Sequence, residues 1–304
     1  MYFVRRILFM IPLLLVVSML TFVLLRITPG GPFDKERAPA SPEIERNIKA
    51  KYHLDKPIHV QYWIWLSGVV KGDFGPSLKY RSHSVTDIIA GGLPITLLIG
   101  SMAFAFAMGV GIPAGFITSV GKGAWQDHLV GTLSILAICI PALVVGPILV
   151  TIFAVRWQLF PVALVGTPMH LVLPVITLGL YFAGRISRLM REGMLDTLKS
   201  EFIRTARAKG VSESAIITRH AFRIGVLPVL SYSGPMIADL MVGSFVVETL
   251  FRIPGIGVFL VNSSLNRDYT MLIGLVLLYA VVLLLANIIV DLTHGILDPR
   301  VKFE

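Results

Sequence analysis

Charge is scarce in this chain. Asp, Glu, Lys and Arg make up 15% of its 304 residues, whereas a soluble domain carries about 25%. Cysteine is nearly absent: Cys139 stands alone inside an apolar run, so no internal disulfide holds the fold. No G-x-x-x-x-G-K-[ST] occurs, which leaves the chain without a phosphate-binding loop of its own. No H-E-x-x-H occurs, and the histidines at positions 53, 59, 83, 128, 170, 220 and 294 show no paired metal-ligand spacing. A G-x-S-x-G nucleophile elbow is also missing. Together these absences argue against an enzyme and place any energy source on another subunit or in a gradient.

Apolar sequence fills the space that charge leaves. Hydrophobic residues reach 55%, and the mean hydropathy is +0.78. Four stretches run without a charge: Ile7–Leu25 (19 residues), Leu93–Val120 (28), Leu129–Val155 (27) and Tyr269–Val290 (22). About 20 apolar residues cross a hydrocarbon core as a helix, so each qualifies as a span. Leu171–Gly184 is shorter, and its helix is expected to run on past Arg185. Ile224–Val247 has the length but carries Asp239 in its middle. The count is about six spans in an all-α, polytopic membrane protein. The first apolar run exceeds the roughly 7–15 residues of a secretory h-region, and no A-x-A site directly follows it, so it reads as an uncleaved anchor.

Net charge is +9. In such a chain Lys and Arg report topology rather than nucleic acid. Arg5 and Arg6 precede the first span, and Arg300 and Lys302 follow the last. Arg185–Arg223 holds nine Lys/Arg against four Asp/Glu. An even number of spans puts all three segments on one side, which the rule makes the cytoplasm. Pro29–Gly92 also has nine Lys/Arg, offset by seven acids. It is longer than the ~60 residues over which the rule is counted, so it is placed outside. The division is then a tail and first span over 1–28, an extracytoplasmic segment over 29–92, a transmembrane core over 93–298 with a cytoplasmic loop at 185–225, and a cytoplasmic tail over 299–304.

Within the outer segment, Ser41-Pro42-Glu43 reads as a helix start, and Ile44 and Ile48 recur one turn apart after it. Tyr62, Trp63, Trp65 and Leu66 form an aromatic cluster suited to the headgroup level. Two readings stand for this segment: a small cap packed on the bundle, or a docking surface for an external partner. The second span carries Ala103, Ala107, Gly111 and Gly115 at four-residue spacing, a stripe that lets another helix approach closely, and Pro113 is expected to bend it. Asp239 is costly in lipid and must face protein or water. It reads either as a pathway-lining acid, with Met236 one turn before it, or as a helix–helix hydrogen-bonding group.

Leu195–Pro228 is the most informative segment. Leu198, Phe202, Thr205 and Ala206 are expected to share a helical face, with Arg204, Arg207 and Lys209 around it. Gly210 ends that helix, and Ser212 with Glu213 starts a second that passes His220. Such a basic helix–turn–helix either rests on anionic lipid or serves as a grip for a soluble subunit.

Arg204-Thr205-Ala206-Arg207-Ala208-Lys209-Gly210 resembles the coupling motif of membrane subunits of bacterial ABC importers. Ala206 and Gly210 match its core; Arg204 departs from the family's Glu, and Arg223 stands where a proline often follows. Further segments are similar to the peptide-type permeases: Arg26–Pro32, Lys51-Tyr52-His53-Leu54, Gly72-Asp73-Phe74-Gly75-Pro76-Ser77, Glu248-Thr249, Pro254-Gly255-Ile256-Gly257, Asp268-Tyr269 and Asp298-Pro299-Arg300. The resemblance covers the whole chain and is nearest to the first permease subunit of oligopeptide systems. It implies a type I importer permease fold in a bacterial cytoplasmic (inner) membrane. The implied partners are a second, related permease subunit, two cytoplasmic ATPases that carry ATP and Mg, and a periplasmic or lipid-anchored peptide-binding protein. Oligopeptides are the implied substrate, with dipeptides, glutathione or nickel complexes as alternatives. Residues 204–210 and His220 would couple to the ATPases. The chain itself would hold no cofactor and bind no nucleic acid. A stand-alone channel or secondary carrier is the reading from another class, but no internal repeat of broken helices supports it.

Overall fold

A computed structural model describes residues 2–27, 53–80 and 83–297. The expected helix at Ser41–Tyr52, the Thr28–Pro32 exit and the Asp298-Pro299-Arg300 end lie outside the described residues. Among the described residues the chain is helical and forms no strand. The helices are α1 (Tyr2–Ile27), α2 (Ile58–Val70), α3 (Val85–Val120), α4 (Trp125–Cys139), α5 (Ala142–Leu149), α6 (Met169–Leu198), α7 (Glu201–Ala208), α8 (Glu213–Ala215), α9 (Phe222–Gly225), α10 (Leu227–Leu250), α11 (Gly257–Asn266) and α12 (Tyr269–Leu297). Wider π-helical turns follow α5 over Val150–Arg156 and α8 over Ile216–Ala221.

Among the described residues five helices are long and apolar enough to cross a membrane, and a bent pair makes up to six. The expected third span is that pair. α4 and the following Ala142–Arg156 helix meet at 109°. The cause is local: Pro141 lacks an N–H, and its ring pushes Ile140 out of helical geometry, to φ −87°, ψ 118°. Hydropathy alone does not register such a break, because proline and its neighbours leave the apolar run intact. α6, by contrast, continues past Arg185 to Leu198 as expected.

The chain divides into two compact units, neither contiguous in sequence. One comprises Ile95–Ile253 with the end segments Met1–Tyr2 and Leu283–Glu304. Its centre is α6, whose Leu173, Ile186, Met190 and Met194 are almost wholly buried. The small-residue stripe on α3 lies against α6. A side chain at Gly111 would meet the Ala183 carbonyl and Ile186 at 2.7 Å, and one at Gly115 would run into the Ser187 backbone. α4 runs along α6 in the opposite sense, joined at its start by Asp127, which accepts two 2.8 Å bonds from Arg191. Glu248, fully buried near the end of α10, accepts a 2.7 Å bond from the Thr96 hydroxyl on α3.

The other unit comprises Phe3–Pro94 and Pro254–Val282. Here α2 lays its aromatics on α1: Tyr62 meets the Phe22 ring edge-on at 5.4 Å, and its hydroxyl lies 2.9 Å from that of Ser18. These contacts favour a cap packed on the helices for this part of the outer segment. Trp63 stays 64% exposed, free to lie at an interface. The hub is Asp268. Its carboxylate is buried, caps α12 by accepting the Met271 N–H at 3.2 Å, and accepts bonds from the Ser77 hydroxyl (2.5 Å) and the N–H groups of Leu78 and Lys79. Two motifs of the peptide-type permeases, 72–77 and 268–269, thus meet across about 190 residues of chain.

Candidate coupling site

The loop after α6 folds as it does because one apolar side chain pins it. A turn at Lys199–Ser200 redirects the chain, with the Ser200 hydroxyl donating to the Thr197 carbonyl at 2.5 Å. α7 then drops Ile203 into the core, where it is fully buried, and Ala206 packs partly beside it. This corrects the expected face. Phe202 and Thr205 are exposed, and Leu198 belongs to α6 rather than to the short helix. Two adjacent large apolars, Phe202 and Ile203, each allow a helical face; which one points inward depends on the angle at which the chain leaves the turn.

With Ile203 inward, the motif residues Arg204, Thr205, Arg207, Ala208, Lys209 and Gly210 all lie at the surface. Arg204 pairs with Glu201 at 2.7 Å, one turn back. Arg207 reaches across the break and holds Glu213 bidentately, at 2.6 and 3.0 Å. The hydrogen bonds to that carboxylate raise the Arg207 pKa above its ordinary value. The spacing is six residues, so no helical pairing rule points to it. It exists because Gly210 turns the chain back on itself. Gly210 has φ +77°, the left-handed region that other residues enter only at a cost, and space around it is open. Val211 N–H closes the turn on the Ala206 carbonyl at 3.2 Å.

Ser212 occupies the cap position of α8 as expected, but its hydroxyl makes no cap bond. The π-helical turn that follows buries Ile216 and Ala221 and leaves His220 exposed, with its Nδ1 3.1 Å from the Ala215 carbonyl. That contact makes Nδ1 the protonated nitrogen and turns Nε2 outward. α9 is seated on α6, with Gly193 and Gly225 in backbone contact and Met194 beneath them. The motif helix α7 packs on the π-helical turn, which with α9 is seated on α6, and α10 begins two residues after Gly225.

The two candidate pathway residues separate. Met236 is fully buried in the core around α6, while Asp239 lies exposed on α10. Of the pair, only Asp239 lies at the surface. Among the described residues no group of three or more His, Cys, Asp or Glu is placed to hold a metal ion.

This geometry has counterparts. A model of binding-protein-dependent transport system inner membrane components matches residues 111–303, and one of the N-terminal part of such components matches residues 1–103. The oligopeptide transport system permease protein OppB of Haemophilus influenzae is 41% identical over 98% of both chains. OppB of Salmonella typhimurium is 40% identical over 99% of each. The dipeptide transport system permease protein DppB of Bacillus subtilis is 38% identical over 100% of this chain and 98% of the relative. The methionine ABC transporter MetNI, solved in inward-facing conformations, has a chain with the same fold at a TM-score of 0.56 and 16% identity, covering 69% of this chain and 96% of that one.

Proposed function

The chain belongs to the family of binding-protein-dependent transport system inner membrane components, and from that membership we propose that it imports oligopeptides as one half of a two-permease pathway. The observation that carries the substrate is identity of 40% or more, over nearly the full length, to oligopeptide permease proteins of two organisms. The 38% match to a dipeptide permease protein supports dipeptides as the second reading. The sister permease is a related, distinct chain. Two cytoplasmic ATPases supply the energy, with ATP and Mg bound on them, and a periplasmic or lipid-anchored protein delivers the peptide. This chain contributes pathway and coupling, with no covalent chemistry of its own. Both its ends and the loop at 185–225 lie in the cytoplasm, and the segment at 29–92 lies outside.

Arg204–Gly210 and His220 form the ATPase-facing surface. The packing of α7 on the π-helical turn, and of that turn and α9 on α6, supports this reading, because a push on an exposed, seated helix reaches the spans. ATPase closure would move α7–α9 with the loop ends of α6 and α10 and switch access from inside to outside.

The test uses Ala208→Trp, at an exposed position on α7. Added bulk there blocks docking and leaves the core untouched. In cells expressing the whole system, the variant inserts at wild-type levels, while peptide uptake falls at least about tenfold, the loss that removing ~1.4 kcal/mol of coupling produces. Undiminished uptake would overturn the coupling assignment. Wild-type complex that takes up no oligopeptide would overturn the substrate.

A further inference from the structure

The surfaces of α6 and α10 differ from those of the other spans. On α10 the exposed positions up to mid-helix are Pro228, Ser231, Pro235 and Asp239, one stripe at helical spacing. On α6 the positions exposed after Met169 are Arg185, Arg188, Glu192 and Asp196. Between residues 170 and 201, and on the described part of α10, no large apolar side chain is exposed. α3 and α4 instead expose Leu97, Leu98, Val110, Leu129 and Leu133. Lipid contact suits the second set and is excluded for charges such as Arg185 and Asp239, which must face water or protein.

Arg185 is held in place by two tyrosines. Its Nη1 donates to the Tyr181 hydroxyl at 3.1 Å, and its guanidinium lies 4.7 Å over the Tyr232 ring. The Tyr232 hydroxyl itself is buried, so Tyr232 serves Arg185 through its ring. Asp239 lies within electrostatic reach of both Arg185 and Tyr232. The helices run antiparallel from the Gly193–Gly225 contact. At 1.5 Å per residue Arg185 lies about 12 Å, and Asp239 about 21 Å, from that end of the bundle. Two opposite charges thus stand at different depths on one polar face.

We propose that Arg185, held in place by Tyr181 and Tyr232, and Asp239 form a two-ended contact site for zwitterionic peptides in the translocation pathway. The site rests on the peptide-import reading and deepens it. Arg185 receives carboxylates, and Asp239 receives amines. Opposite charges in one site favour brief contact with a zwitterion and retain neither strongly cationic nor strongly anionic peptides, as passage through a pathway requires.

The test compares a free tripeptide with its N-acetylated and C-amidated forms, in proteoliposomes holding the complete transporter and its binding protein. Wild type, Arg185→Gln and Asp239→Asn are measured side by side. Any terminal preference of the binding protein is common to all three and cancels in the variant-to-wild-type ratio. Arg185→Gln is expected to lower preference for the free over the amidated peptide about fivefold, and Asp239→Asn to lower preference for the free over the acetylated peptide by about the same factor, the scale of one exposed charge contact. Wild-type preference ratios in both variants overturn the site. Equal losses for all three peptides also overturn it, because they show a general packing or gating role. Absence of any peptide uptake by the wild-type complex overturns the import reading itself, and the site with it.

Discussion

α1 and α6 both pass as membrane spans on length and composition, yet they do opposite things. Over the apolar window of α1, 11% is buried, and its outward surface is built from Leu8, Phe9, Ile11, Leu13, Val16 and Leu20. Over that of α6 the share is 61%, and what remains exposed after Met169 is charged. One helix leaves most of its apolar surface uncovered within the chain; the other is the axis on which α3, α4, α9 and α10 pack. Hydropathy averages over the helix and treats the two alike. Direction of exposure separates them: lipid is as apolar as leucine, so an outward leucine gains nothing by being covered, whereas an outward arginine cannot be left in lipid.

Substitutions probe that contrast in order of size. Gly115→Leu, on the α3 stripe facing α6, puts a side chain into the Ser187 backbone, which has no room to yield. It should cost at least about 4 kcal/mol, read as loss of cooperative unfolding in detergent titration. Met194→Ala removes a fully buried side chain beneath the coupling loop and should cost about 3 kcal/mol in the same assay. Leu13→Ala on α1, at 48% exposure, should cost less than about 1 kcal/mol. A cost for Leu13→Ala equal to that of Met194→Ala would break the contrast, because it would show that a partner covers α1. Measured on the chain alone and on the full complex, the same variant would locate that cover.

Much of the site was legible before the structure. Gly210 as a helix end, the exposed basic run from Arg204 to Lys209 and the small stripe on α3 are all one-dimensional signals: a backbone preference, a charge run and a four-residue period. The illegible parts depend on angle or distance. Ile203 and Phe202 are neighbours, and only the turn at Ser200 chooses between them. The bend at Pro141 hides inside an uninterrupted apolar run. Arg207–Glu213 spans a glycine break, and Asp268 binds a turn about 190 residues away in the chain. In sequence Arg185 reads as a topology charge, and its tyrosine partner on α10 gives no signal.

By itself the sequence determined that this chain crosses the membrane about six times, lacks a phosphate-binding loop motif and carries a basic helical loop ahead of Ile224–Val247. Those follow from composition and local pattern, because backbone groups in lipid must be satisfied within each helix and charges must leave the hydrocarbon. Only the tertiary structure decided which spans are covered within the chain, which side chain pins the loop, and that Arg185 and Asp239 share a polar surface. Those depend on helix rotation and crossing, fixed by close packing between elements distant in sequence, which no window along one strand of chain can sum.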